Sequence, residues 1–90
     1  MAEIIYTDSY LKRAKKFIKK QPELLSQYEK TLKLLEINPN HPSLRLHKLR
    51  GKLSALYSVS INISYRISIY FFIEEDKIIP IDIGSHDEVY

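Results

Sequence analysis

The sequence predicts an α+β fold: a helical hairpin packed on a mainly antiparallel four-stranded sheet, with elements in the order β-α-α-β-β-β. Two observations predict it. Apolar residues recur at helical spacing from Tyr10 to Leu35. From Leu53 the apolar period drops to two, the signature of strands with one buried face.

The elements follow in order. Glu3 to Tyr6 is a short apolar stretch that reads as a first strand. Thr7, Asp8 and Ser9 are residue types that cap helix N-termini. Behind them Tyr10, Leu11, Ala14, Phe17 and Ile18 line one helix face, while Lys12, Arg13, Lys15, Lys16, Lys19 and Lys20 fill most of the rest. Gln21-Pro22 interrupts the pattern, and Pro22 suits the first turn of a second helix. Leu24, Leu25, Tyr28, Leu32 and Leu35 form the apolar face of that helix, and Asn38-Pro39-Asn40 ends it. So tight a connection implies an antiparallel hairpin.

Asn40 to Lys52 reads as a loop punctuated by Pro42 and Gly51. It carries His41, Arg45, His47, Lys48, Arg50 and Lys52 and no acidic residue. In the next segment Leu53, Ala55, Tyr57, Val59 and Ile61 alternate with Ser54, Leu56, Ser58, Ser60 and Asn62. After a turn near Asn62, Tyr65, Ile67, Ile69, Phe71 and Ile73 continue the alternation. Glu75-Asp76 marks another turn. Lys77 to Ile83 is the last strand, where Pro80 implies an edge or a bulge. The odd-numbered apolar residues of the second strand are expected to face the helices. Ser54, Ser58, Ser60 and Ser64 would then lie on an open face, which Arg66, Ser68 and Tyr70 continue.

Ninety residues fit one domain, spanning 1–90. There is no cysteine, hence no disulfide framework or thiolate metal site. Met1 to Tyr6 lacks the basic segment and long apolar run of an export signal, and no apolar run approaches the length of a membrane span. A cytoplasmic location with no membrane partner is the expectation. The net charge of +3 conceals an asymmetry. Tyr10 to Lys52 holds twelve Lys and Arg against three Glu, a net of +9; residues 53–90 hold two against six acids, a net of −4. A basic half of this strength points to a polyanionic partner.

The chemistry has few candidates. Gly51 and Gly84 are the only glycines, so there is no glycine-rich phosphate loop. His41, His47 and His86 lack the cysteines or the paired helical spacing of a metal site, and no metal or other cofactor is expected. RNA cleavage by the 2′-hydroxyl suits the inventory better. It needs a base, an acid and cations around the phosphorane. His86 titrates near neutrality. Tyr90 could orient the substrate, stack on a base or donate a proton. Arg45, Lys48, Arg50, Lys52 and Arg66 are candidate phosphate ligands. Against this stand plainer readings: a terminal histidine bonded to its neighbours, a tyrosine ring tucked against the sheet, and serines on an ordinary solvent face.

Three features then carry a resemblance. They are Lys48-Leu49-Arg50-Gly51 before the second strand, Tyr65-Arg66 opening the third, and the closing Gly-Ser-His-Asp-Glu-Val-Tyr from Gly84 to Tyr90. With the lysine-rich hairpin before them, they resemble the RelE/ParE superfamily of type II toxin-antitoxin toxins, in its RelE/StbE or YafQ-like branch. The resemblance implies a microbial-ribonuclease-like fold. It implies a toxin that enters the ribosomal A site, cuts mRNA there without a metal and so inhibits translation. It also implies a cognate antitoxin, expected to be acidic and to lay an amphipathic helix in a groove of the toxin. Carried over by position, it makes His47, His86 and Tyr90 the catalytic residues, with Arg50 and Lys52 loosely comparable to the basic residues of RelE. Ser60 and Ser64 stand where YafQ-like toxins place a second histidine and an aspartate. That departure keeps two alternatives open: a ParE-like toxin that binds DNA gyrase without an active site, and a family member that only binds its antitoxin.

Overall fold

The computed structural model describes residues 1–51 and 55–85. Strand β1 spans Glu3–Ile4, helix α1 Asp8–Lys20, helix α2 Leu25–Ile37, β2 His47–Lys48, β3 Tyr57–Ser60, β4 Tyr65–Phe72 and β5 Lys77–Ser85. The sheet order is β1-β5-β4-β3-β2. β1 runs parallel to β5, and every other neighbour pair is antiparallel. The α+β architecture is the expected one. The sheet has five strands among the described residues rather than four, because His47–Lys48, inside the expected loop, pairs with Tyr57 and Ser58.

The helices form where the sequence signals them. Thr7 caps α1, its hydroxyl accepting the Tyr10 N–H at 3.1 Å. Pro22 opens a 3₁₀ turn, Pro22–Leu24, that leads directly into α2. Tyr10 and Ala14 of α1, with Tyr28 and Leu35 of α2, pack on Val59, Ile67, Ile69, Ile78 and Ile83 of the sheet. The Tyr10 and Tyr28 hydroxyls meet at 2.8 Å inside that core. Leu11 and Leu25, expected on the apolar faces, are exposed, because each sits at the margin of its helix's buried stripe.

Pro80 lies beside the bulge its presence implies. Ile69 pairs with Pro80 while Ser68 pairs with Asp82, so Ile81 is the extra residue on β5. The bulge switches the inward-facing residues from even to odd, from Ile78 and Pro80 to Ile83. Pro80 also falls beyond the pairing with β1, which ends at Ile78. Arg13 of α1 reaches this point. It donates to the Ile81 carbonyl at 3.4 Å and lies 3.6 Å from the Asp82 carboxylate.

The face away from the helices differs from the expectation in one respect. Ser58, Ser60 and Ser68 are buried rather than open. A serine stands barely above the sheet, and on β4 the residues flanking Ser68 on the same face are the longer Arg66 and Tyr70. The result is a floor of small residues with taller side chains beside it.

Candidate functional site

The site is built first by the segment from His41 to Arg50. His41 caps a 3₁₀ turn, Pro42–Leu44, its Nδ1 accepting the Ser43 N–H at 3.2 Å. Leu44 and Leu49 are buried and Leu46 is half-buried against the core, so the segment is fastened at three points. Leu49 also donates to the Leu56 carbonyl at 2.9 Å. Between these anchors Arg45, His47 and Lys48 are exposed, as is Arg50 just beyond them. Arg45 adopts the left-handed conformation, φ 48° and ψ 43°, which turns the chain into β2.

That turn orients His47. The Arg45 carbonyl lies 2.8 Å from His47 Nδ1. A carbonyl can only accept, so Nδ1 carries the proton and Nε2 of the neutral ring is the basic nitrogen. In register, His47 pairs with Ser58, Ser58 with Ser68, and Ser68 with Asp82, a single row across four strands. One step along the strands, Ser60 pairs with Arg66 and Arg66 with Gly84. His47 and Arg66 thus belong to one face. Strand spacing and rise place their backbones roughly 12 Å apart. Lys48 pairs with Tyr57 and belongs to the opposite face, at its edge.

The two serines at the departing positions sit at the β3–β4 turn. Ser60 Oγ donates to the Asn62 carbonyl at 2.6 Å. Ser64 lies in the β3–β4 turn, where Asn62 Oδ1 accepts from the N–H groups of Ser64 and Tyr65 at 2.8 and 2.9 Å. Ser58 is different: its Oγ is buried with no hydrogen-bond partner among the described residues. His86, Tyr90 and Lys52 lie outside the described residues.

The sequence missed the Arg13–Asp82 pair. Its two members are 69 positions apart and only the β5 bulge brings them to one place. Among the described residues no three His, Asp or Glu side chains gather as metal ligands, and no helix is long and apolar enough to cross a membrane.

A helical hairpin on one face of a mostly antiparallel sheet is an architecture shared with known toxins. YafQ from E. coli strain BL21(DE3) superposes with a TM-score of 0.79 at 13% identity, over 100% of this chain and 99% of that one. A metal-bound toxin from Helicobacter pylori gives 0.77 at 21% identity over 100% of both chains. A chain of the E. coli DinJ-YafQ toxin-antitoxin complex gives 0.77 at 15% identity, over 99% of this chain and 97% of that one. No protein-family model matches the sequence, and no curated protein matches it. The chain has the fold that YafQ takes.

Proposed function

We propose that the protein is the toxin of a type II toxin-antitoxin system and acts as a ribosome-dependent mRNA endonuclease. The observation that carries the reading is the orientation of His47. Its Nδ1 proton is held by the Arg45 carbonyl, on a strap that also bears Arg45 and Arg50, and it shares a sheet face with Arg66. Nε2 takes the proton of a substrate 2′-hydroxyl. The 2′-oxygen attacks the adjacent phosphorus, the bond to the 5′-oxygen breaks, and a 2′,3′-cyclic phosphate remains. His86, one residue beyond β5, supplies the proton to the departing 5′-oxygen, and Tyr90 orients the nucleotide. Arg45, Arg50, Lys52 and Arg66 offset the charge on the phosphorane. Lys48, on the other face, serves RNA outside the cleft.

The toxin assignment draws on the shared fold, and the partner on the neighbour bound to an antitoxin. The antitoxin of this chain is an acidic protein, matched to the +9 charge of residues 10–52. The test is a translation extract programmed with a defined mRNA, its cuts mapped by primer extension. Wild type is expected to cut, and His47→Gln and His86→Ala to lose most of that activity. Equal cutting by wild type and both variants removes the two histidines from the mechanism.

One observation favours a second reading. The Ser60 hydroxyl is committed to the Asn62 carbonyl, and a serine at position 64 supplies no base without activation. A ParE-like gyrase toxin needs none. Inhibition of gyrase supercoiling without any mRNA cleavage would select that reading.

A further inference from the structure

A pocket of about 360 Å³ lies between one edge of α1 and the end of the sheet where β4 begins and β5 finishes. Arg13, Lys16, Phe17 and Lys20 line it from the helix; Tyr65, Asp82 and Ser85 line it from the strands. We infer that this pocket is a single-stranded RNA subsite, separate from the His47 strap, in which Lys16 and Lys20 hold a phosphate and the adjoining base rests on the aromatic edge formed by Tyr65 and Phe17. The inference rests on the RNA reading above and adds a site to it.

Charge supports the anion. Asp82 is the one acid in the lining, and it lies 3.6 Å from Arg13. Lys16 and Lys20, both exposed, have no ion-pair partner among the described residues. They are four residues apart, so they project from one side of the helix, one turn above the other. Arg13 is held to the β5 bulge by its contacts with Asp82 and the Ile81 carbonyl, which fixes the helix edge against the sheet.

The rings select nucleic acid over an acidic polypeptide. Phe17 and Tyr65 meet edge to face, centroids 5.1 Å apart at 72°, and both are only half-buried. A half-exposed ring beside two cations suits a base and its phosphate, whereas a carboxylate needs the cations alone. The volume falls in the lower part of the range for small-ligand sites.

The experiment measures binding of a fluorescently labelled single-stranded oligouridylate to the full chain by anisotropy, across a salt series. Lys16→Ala/Lys20→Ala is expected to weaken binding about tenfold at low salt and to lower the salt slope by about 0.7, the value for one phosphate of a single strand left unneutralised. Lys30→Ala/Lys33→Ala removes the same charge from α2 and is the control. Tyr65→Leu is expected to weaken binding about tenfold with the salt slope unchanged. Circular dichroism confirms that each variant is folded. Equal losses in the two lysine pairs overturn the subsite, as does wild-type affinity in either Tyr65→Leu or Lys16→Ala/Lys20→Ala. Loss of poly-glutamate binding with RNA binding intact also overturns it and assigns the pocket to an acidic protein. The readout is independent of cleavage: a wild type that binds the oligonucleotide and cuts no mRNA refutes the endonuclease and not the subsite.

Discussion

The hydroxyl of Tyr10 lies 2.8 Å from the hydroxyl of Tyr28, a hydrogen bond that joins α1 to α2 inside the core. Tyr10 is fully buried and Tyr28 nearly so. Each hydroxyl is therefore the other's substitute for water. Tyr28→Phe leaves the Tyr10 hydroxyl unpartnered at no cost in packing volume, and is expected to destabilise the fold by about 1–3 kcal/mol. Removing both hydroxyls, Tyr10→Phe/Tyr28→Phe, is expected to cost less than the sum of the single changes, because no orphaned group remains. Denaturant unfolding of the three variants checks this, and additive losses would show that the pair is not coupled.

The same pair sets an alkaline limit. Burial, and next the neighbouring Tyr28, push the Tyr10 hydroxyl far above the ordinary tyrosine value of 10; burial also raises Tyr28. Below pH 10 both residues are neutral in the folded and unfolded chains, and their contribution is complete. Above it the unfolded chain releases protons that the folded chain retains, so stability falls as pH rises. The midpoint of urea unfolding is expected to hold from neutrality to about pH 9 and to drop beyond pH 10. Tyr10→Phe/Tyr28→Phe is expected to flatten that drop. An equally steep drop in the double variant assigns the limit to other groups.

The helices and long strands were legible because each buries one face, and burial imprints a period. Tyr10, Ala14, Tyr28 and Leu35 occupy the positions that helical spacing assigns to the core. β2 was not legible, since two residues have no period and only pairing with Tyr57 and Ser58 makes them a strand. That pairing alone separates His47 from Lys48, adjacent in sequence and on opposite faces. On β5, Ile78, Ile79, Ile81 and Ile83 are apolar at both parities, and the bulge after Pro80 decides which turn inward. At the candidate site, the residue types on the strap could be read directly. The tautomer of His47 could not, because it depends on a backbone carbonyl that only the left-handed turn at Arg45 presents.

Ser58 separates a structural serine from a functional one. Its hydroxyl is fully buried with no hydrogen-bond partner among the described residues, in the row between His47 and Ser68. Such a group costs stability, so Ser58→Ala is expected to be neutral or to stabilise the fold by about 1 kcal/mol. In the mRNA cleavage assay, a serine that only fills space predicts full activity. A hydroxyl that meets the substrate predicts a drop of tenfold or more, about 1.4 kcal/mol, in a protein at least as stable as wild type. The first outcome is expected, because a hydroxyl with no exposed surface offers a substrate nothing to touch.

Arg45 combines a charge with a conformation, and one substitution separates them. At φ 48° a side chain is strained, while glycine is not. Arg45→Gly relieves that strain and adds chain entropy to the unfolded state. The two nearly cancel, and stability is expected to lie between no change and a gain of about 1 kcal/mol. The Arg45 carbonyl stays where the turn puts it, so His47 keeps its Nδ1 partner. The loss should then be that of the charge alone: slower cleavage and weaker affinity for single-stranded RNA, with a salt slope lower by about 0.7, the value for one phosphate contact. Arg45→Val instead keeps the charge loss and adds the strain of a β-branched residue in the left-handed region. It is expected to displace the carbonyl and to reduce cleavage below the Arg45→Gly level. Equal cleavage by the two variants would show that the turn does not govern His47.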